Sequence, residues 1–224
     1  MLLLVVDTSG KSGSIALARG ETDGSCGLLE SVRLDGGAFS AQLVPQIGAL
    51  LSGQKLSKSE IGGFVAVSGP GSFTGLRVGL AAVKALAEVL EKPIAAVSLL
   101  EAVAFAGGIN GDIVAAMDAG RRQIYSGEYH VSSGSAVRIK ECLLNRDEFS
   151  GLVRGAKVVT PDPAIAAFAQ SLGADAHSIS APGIALVAEL GWRKIAAGDT
   201  VTPDALEANY ISRADAEMFN KSSS

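Results

Sequence analysis

The chain opens on an unbroken apolar run, Leu2–Val6, and returns to apolar residues at Ser14–Ala18 after the polar turn DTSGKSG. Runs this short, closed off by turn residues, predict two buried strands joined by a hairpin. Gly20–Gly27 is polar and turn-rich, and Leu28–Leu34 predicts a third strand. The period then lengthens. In Ser40–Leu51, Leu43, Ile47 and Leu50 fall on one helical face with Val44 and Leu51 beside them, Ser40 as cap and Gly53 as stop, while Pro45 limits where the helix can start. A strand at Phe64–Ser68, a helix from Thr74 to Leu90, a short strand at Ile94–Val97 and a helix at Leu99–Ala106 complete the first half.

The second half repeats this opening. Asp112–Met117 is an apolar strand ending at Asp118, the turn AGRRQ follows, and Ile124–Val131 alternates as a returning strand, so Asp118 stands where Asp7 stands in the first half. Strands at Val137–Leu143 and Lys157–Thr160 and helices at Pro163–Leu172 and Pro182–Ala197 follow. An apolar strand ending in Asp and then a hairpin, met twice, predicts an α/β fold of two lobes with the duplicated plan of actin-like ATPases. Gly107–Gly111 marks the expected boundary, giving a first lobe at residues 1–106, a smaller one at 107–213 and a polar tail at 214–224 expected to be disordered.

The strand at Phe64–Ser68 runs into a loop whose glycines, Gly69, Gly71 and Gly75, allow positive φ and leave amides uncovered, with Pro70 fixing one turn. Such a loop at a helix N-terminus suits an anion or the backbone of another protein. It is not a P-loop, because Leu76-Arg77 follows Gly75 where Lys-Ser/Thr is needed, and it is one residue too long for G-x-G-x-x-G. The helix that follows confines Arg77, Lys84, Glu88 and Glu91 to one narrow stripe. Leu76, Val78, Leu80, Val83, Leu86, Val89 and Leu90 cover more of its circumference than one sheet buries, and Gly75 and Gly79 admit a neighbouring backbone. The second cover is either internal or another chain, and the apolar excess of the Ser40–Leu51 helix favours a partner.

Composition narrows the function classes. Of 224 residues only 19% are charged and the net charge is −4, which argues against a broad basic face for direct nucleic-acid binding. Cys26 and Cys142 are distant singles, which fits a reducing compartment. MLLLVVD has no basic region and no apolar run approaches membrane-spanning length, so a cytoplasmic protein is expected.

Asp7, Thr8 and Ser9 at a strand end, with Asp118 as a second carboxylate, are the residue types that hold a metal-bound phosphate; the same types also stabilise turns through their own side chains. His130 and His177, the two histidines, lack metal-ligand spacing, so no metal site is expected. No G-x-S-x-G occurs, and Ser72 has no base nearby in sequence. Tyr125, Tyr129, Tyr210 and Trp192 read as packing residues.

The motifs VDTS at Val6–Ser9, FSAQLVPQI at Phe39–Ile47 and above all SGPGSFTGLRVGLAAVKALA at Ser68–Ala87, with DAGRRQIY at Asp118–Tyr125 and the closing NYISR, resemble the TsaB (YeaZ) family of the glycoprotease-like group. The resemblance implies an actin-like, RNase H-like duplicated fold and a part in making threonylcarbamoyladenosine on tRNA. It implies a subunit that is not itself the catalyst, has no cofactor, pairs with a TsaD-like catalytic protein, is joined by a TsaE-like ATPase and reaches tRNA only through that complex, with a homodimer as a further pairing. Mapped onto this chain, the pairing surface comprises Leu43, Ile47, Leu50, Leu76, Leu80 and Val83. Where many relatives have His, this chain has Phe39, which weakens any claim to a metal ligand.

A competing enzyme function is an ATP-dependent phosphotransferase of the actin-like class built on Asp7, Thr8, Ser9 and Asp118. A metallopeptidase, suggested by the group's historical name, founders on the histidine count.

Overall fold

The computed structural model describes residues 1–132 and 134–211; the tail expected at 214–224 lies outside the described residues. The chain forms two compact units, one of Met1–Ser98 with Gly183–Asn209 and one of Leu99–Pro182 with the segment from Tyr210.

In the first unit, strands β1 (Leu2–Asp7), β2 (Gly13–Gly20) and β3 (Cys26–Leu34) form an antiparallel meander, followed by helix α1 (Phe39–Gly53). Strand β4 (Ile61–Gly69) then pairs parallel to β1, helix α2 (Phe73–Leu90) follows, and β5 (Ile94–Ser98) pairs parallel to β4. The strand order is β3-β2-β1-β4-β5. Alternate side chains of the central strands serve two cores. Leu2, Leu4, Val6, Phe64 and Ala66 pack with Leu43, Ile47, Leu80 and Val83 of α1 and α2. Both faces are covered, which is why β1 reads as an unbroken apolar run rather than an alternation.

The second unit begins with α3 (Leu99–Ala106), then β6 (Gly111–Gly120), β7 (Gln123–Ser132) and β8 (Ser135–Asn145) as a second antiparallel meander. Helix α4 (Arg146–Leu152), β9 (Lys157–Thr160), α5 (Pro163–Ser171) and β10 (Asp175–Ser178) complete it. The strand order is β10-β9-β6-β7-β8, with β9 parallel to β6 and β10 parallel to β9. First, second and third strands antiparallel, fourth and fifth parallel on the other side: the connectivity of the first sheet recurs here, and the fold is the duplicated actin-like one. Leu100 and Val103 pack with Ile113, Ala115 and Tyr129 on one face, and Phe149, Ile165 and Ala169 with Val114 and Ala116 on the other.

Two expected boundaries are corrected. The division falls at Ser98/Leu99 rather than at residues 107–111, because the apolar side of α3 is buried on β6 and β7. The last helix, α6 (Ile184–Ala196), belongs to the first unit rather than to a lobe ending at residue 213. Its Val187, Ala188, Leu190, Gly191 and Trp192 are buried, and glycines let it lie close on the first sheet: a methyl group on Gly191 would strike Val65, and one on Gly20 would strike the Trp192 ring. Without α6 that face of the sheet would be open to water. The short elements α4 and β10 were not expected from sequence.

Candidate functional site

At the end of β1 the chain turns on its own side chains. Asp7 Oδ1 accepts hydrogen bonds from the Ser9 N–H at 2.9 Å and from Ser9 Oγ at 2.6 Å. Thr8 Oγ1 donates to the Gly75 carbonyl oxygen at 2.8 Å, and the Ser72 N–H donates to the Ser9 carbonyl oxygen at 2.7 Å. Ser72 also caps α2, its Oγ accepting from the Gly75 N–H at 3.3 Å. The turn after β1 and the glycine loop before α2, found separately in the sequence, are therefore one packed unit.

The glycines of that loop serve closeness more than unusual backbone angles. Only Gly69 has positive φ, 129°, which corrects the expectation for Gly71 and Gly75. A methyl group on Gly71 would run into the Ser9 carbonyl oxygen, one on Gly75 into the Thr8 carbonyl oxygen and one on Gly79 into Thr8 Oγ1. The bareness read from the sequence is thus taken up by Thr8 and Ser9, both buried. Phe39 seals the same spot from the side. Its ring is buried and lies 3.0 Å from where a Gly13 Cβ would stand and 3.2 Å from a Gly75 Cβ.

Asp118, the counterpart of Asp7 in the second unit, is exposed at the end of β6. Its N–H donates to Asp162 Oδ2 at 2.7 Å, and its Oδ1 accepts from the Gly120 N–H at 3.0 Å. His130 pairs with Asp112 at 2.7 Å and His177 with Asp175 at 3.0 Å, at separate places. Among the described residues no three His, Cys, Asp or Glu side chains are grouped to hold a metal ion.

The residues expected to meet a partner are corrected. Leu43, Ile47, Leu50, Leu76, Leu80 and Val83 are all 6% exposed or less, and five of them lie in the core under α1 and α2. Helical periodicity locates an apolar face but does not say which surface covers it. What these helices leave to solvent is different: Ala41, Val44, Pro45, Gly48 and Ala49 on α1, and Arg77, Ala81, Ala85, Glu88 and Val89 on α2. Val44 is 62% exposed and Val89 76%. At the start of α2, Phe73 is exposed with the Arg77 guanidinium 3.8 Å above its ring. The sequence did hold a signal for this surface, because Phe39–Gly53 contains no charged residue at all, even at its solvent-facing positions.

Comparison with known proteins follows the same lines. The family model described as TsaD, tRNA N6-adenosine threonylcarbamoyltransferase, matches residues 36–198. The chain belongs to that family, in its TsaB (YeaZ) branch. It is 35% identical over 135 residues to the tRNA threonylcarbamoyladenosine biosynthesis protein TsaB of Bacillus subtilis, covering 60% of this chain and 57% of that protein. With the TsaB protein of Haemophilus influenzae it shares 31% identity over 129 residues, 56% of this chain and 52% of that one. These matches span little more than half the length of the curated relatives. The solved structure of YeaZ from Pseudomonas aeruginosa superposes with a TM-score of 0.69 at 22% identity, over 93% of this chain and 99% of that one, and shows the same fold. Among the described residues no helix is long and apolar enough to cross a membrane.

Proposed function

We propose that the chain serves threonylcarbamoyladenosine formation on tRNA as a non-catalytic, cytoplasmic subunit that pairs with a TsaD-like catalytic protein and is joined by a TsaE-like ATPase. The observation that carries this reading is the uncharged solvent side of α1 with Ala81, Ala85 and Val89 of α2, where alanines, glycine, proline and valines are exposed and α2 adds only Arg77 and Glu88 as exposed charges. Small side chains let a partner's helices approach closely, and the absence of charge on α1 lowers the desolvation cost on pairing. The six leucine, isoleucine and valine positions named above then hold the two helices in place, and Val44, Gly48, Ala81, Ala85 and Val89 meet the partner. In the same reading Asp7, Thr8 and Ser9 build a turn rather than hold a nucleotide, because the Thr8 and Ser9 hydroxyls are already bonded inside the chain.

Co-purification with the TsaD-like protein of the same source tests the pairing. Wild type is expected to co-elute at micromolar concentration, and Ala81→Arg to stay folded and elute alone; a wild-type mixture that never associates counts against the proposal. A homodimer that TsaD-like protein cannot displace would assign the face to a second copy instead. Calorimetry with millimolar Mg-ATP on the isolated chain is expected to give no heat, and a clear isotherm would revive the phosphotransferase reading.

A further inference from the structure

We infer that the turn between β6 and β7, Arg121-Arg122, is a phosphate contact for RNA; the inference rests on the tRNA-modifying reading above. Gly120 pairs with Gln123 across the two strands, so these two residues make the whole turn. Their φ values are 50° and 64°. Positive φ at both positions of a two-residue hairpin turn is the type I′ geometry, which Asn-Gly satisfies with little strain, whereas arginine does not. Among the described residues nothing explains why arginines stand there. Both side chains are exposed, and among the described residues neither guanidinium has a hydrogen-bond or ion-pair partner.

The carboxylates around the turn face backbone donors instead. Asp118 accepts from the Gly120 N–H, Asp162 from the Asp118 N–H, and Glu148 from the Asn145 N–H at 2.7 Å. Asn145 is the cross-strand partner of Gln123, which brings a third exposed arginine, Arg146, to this end of the sheet, with Asp147 beside it. A local cluster of donors can attract an anion even on a chain of net charge −4.

The surroundings favour a polynucleotide backbone over an acidic protein surface. Protein interfaces seat their arginines among apolar and aromatic anchors. The exposed aliphatic residues of this sheet, Val137 and Ile139, lie toward the other end of β8, where Val137 pairs with His130 and His130 with Asp112. Phosphate contacts need only charge and N–H groups in fork geometry, which arginine supplies.

The test uses the complex reconstituted with the TsaD-like and TsaE-like proteins of the same source and an unmodified tRNA transcript as probe, titrated across a range of salt. For R121Q/R122Q we expect roughly tenfold weaker tRNA binding near physiological salt and a plot of log K against log salt flatter by about 1 to 2, with subunit pairing unchanged. R121K/R122K should keep most of the affinity. R121N/R122G should lose as much as the glutamine variant while melting no lower than wild type, since it relieves the turn. Unchanged affinity and slope in R121Q/R122Q overturn the inference; so does a loss of subunit pairing, which would assign the turn to a protein surface. A wild-type complex that assembles but binds no tRNA transcript sinks the functional reading and this inference with it.

Discussion

Thr8 Oγ1 and the Gly75 carbonyl oxygen, 67 residues apart in the chain, are joined by a buried hydrogen bond of 2.8 Å. One turn further along α2, Gly79 has no room for a methyl group because Thr8 Oγ1 stands there. Gly79→Ala should therefore cost about 1–3 kcal/mol through overpacking, and Thr8→Ala about 1–3 kcal/mol through the bond it removes from a buried carbonyl. In the double variant the threonine no longer obstructs the methyl group, so the two costs should fall short of additive by about 1 kcal/mol or more. Urea unfolding of the four proteins measures this, and strict additivity would contradict the contact.

Leu80 and Ala81 are neighbours with opposite fates. Leu80 is 5% exposed in the core under α2, whereas Ala81 faces solvent. Leu80→Asp should leave no folded monomer, because an unpaired carboxylate would be trapped among Leu43, Ile47 and Phe64. Ala81→Asp should cost no more than about 1 kcal/mol, the order of the helix-propensity difference between the two residues. Circular dichroism melts separate the two, and a folded Leu80→Asp protein would mean that α2 is packed otherwise.

In the second unit, Glu141 keeps a buried side chain, 4% exposed, in a polar pairing. It accepts a short hydrogen bond from the Tyr129 hydroxyl, and the Arg138 guanidinium stands 3.6 Å from its other oxygen. Tyr129→Phe preserves the packing and removes the donor, so about 1–3 kcal/mol of stability should be lost. Glu141→Gln, which can still accept, should cost less than Tyr129→Phe; the reverse order in chemical denaturation would show that the hydroxyl is not the main partner.

The two cysteines should be slow nucleophiles. Burial raises the thiol pKa of Cys142, and burial followed by the nearby Glu189 charge raises that of Cys26, both above their ordinary value of 9.0. The neutral thiols thus bind protons more tightly in the folded state, so their contribution to stability is complete below pH 9 and declines as the pH rises through the folded values. Thiol titration at pH 7.5 should proceed slowly in the native protein and at once in denaturant. Equal rates in both conditions would place the thiols in water.

Much of this was legible in the sequence for identifiable reasons. Five consecutive apolar residues at Leu2–Val6 can belong only to an element covered on both sides, and the recurrence of strand, Asp and hairpin at Asp112–Val131 announced the duplication. Helix α6 packs on the first unit, against the expectation, because Val187, Leu190 and Trp192 mark it as buried without saying which sheet covers it. Helix α4, RDEFSGL, buries Phe149 alone and so shows no apolar period, although Asn145 and Glu148 form a capping box that marks its start. Strand β10, DAHS, has no apolar run to betray it. At the candidate site, the glycines of the loop announced a close approach correctly, but spacing alone could not name Thr8 and Ser9 as the atoms that approach.

The return of α6 to the first unit bears on how the chain is made. Residues 99–182 emerge from the ribosome before Gly183–Asn209 does, so the first sheet must wait, with Val65 and its neighbours uncovered, while more than eighty residues are added. A nascent chain in that condition is a client for chaperones, and translation that stalls before α6 would release a protein whose first unit has an open, sticky side.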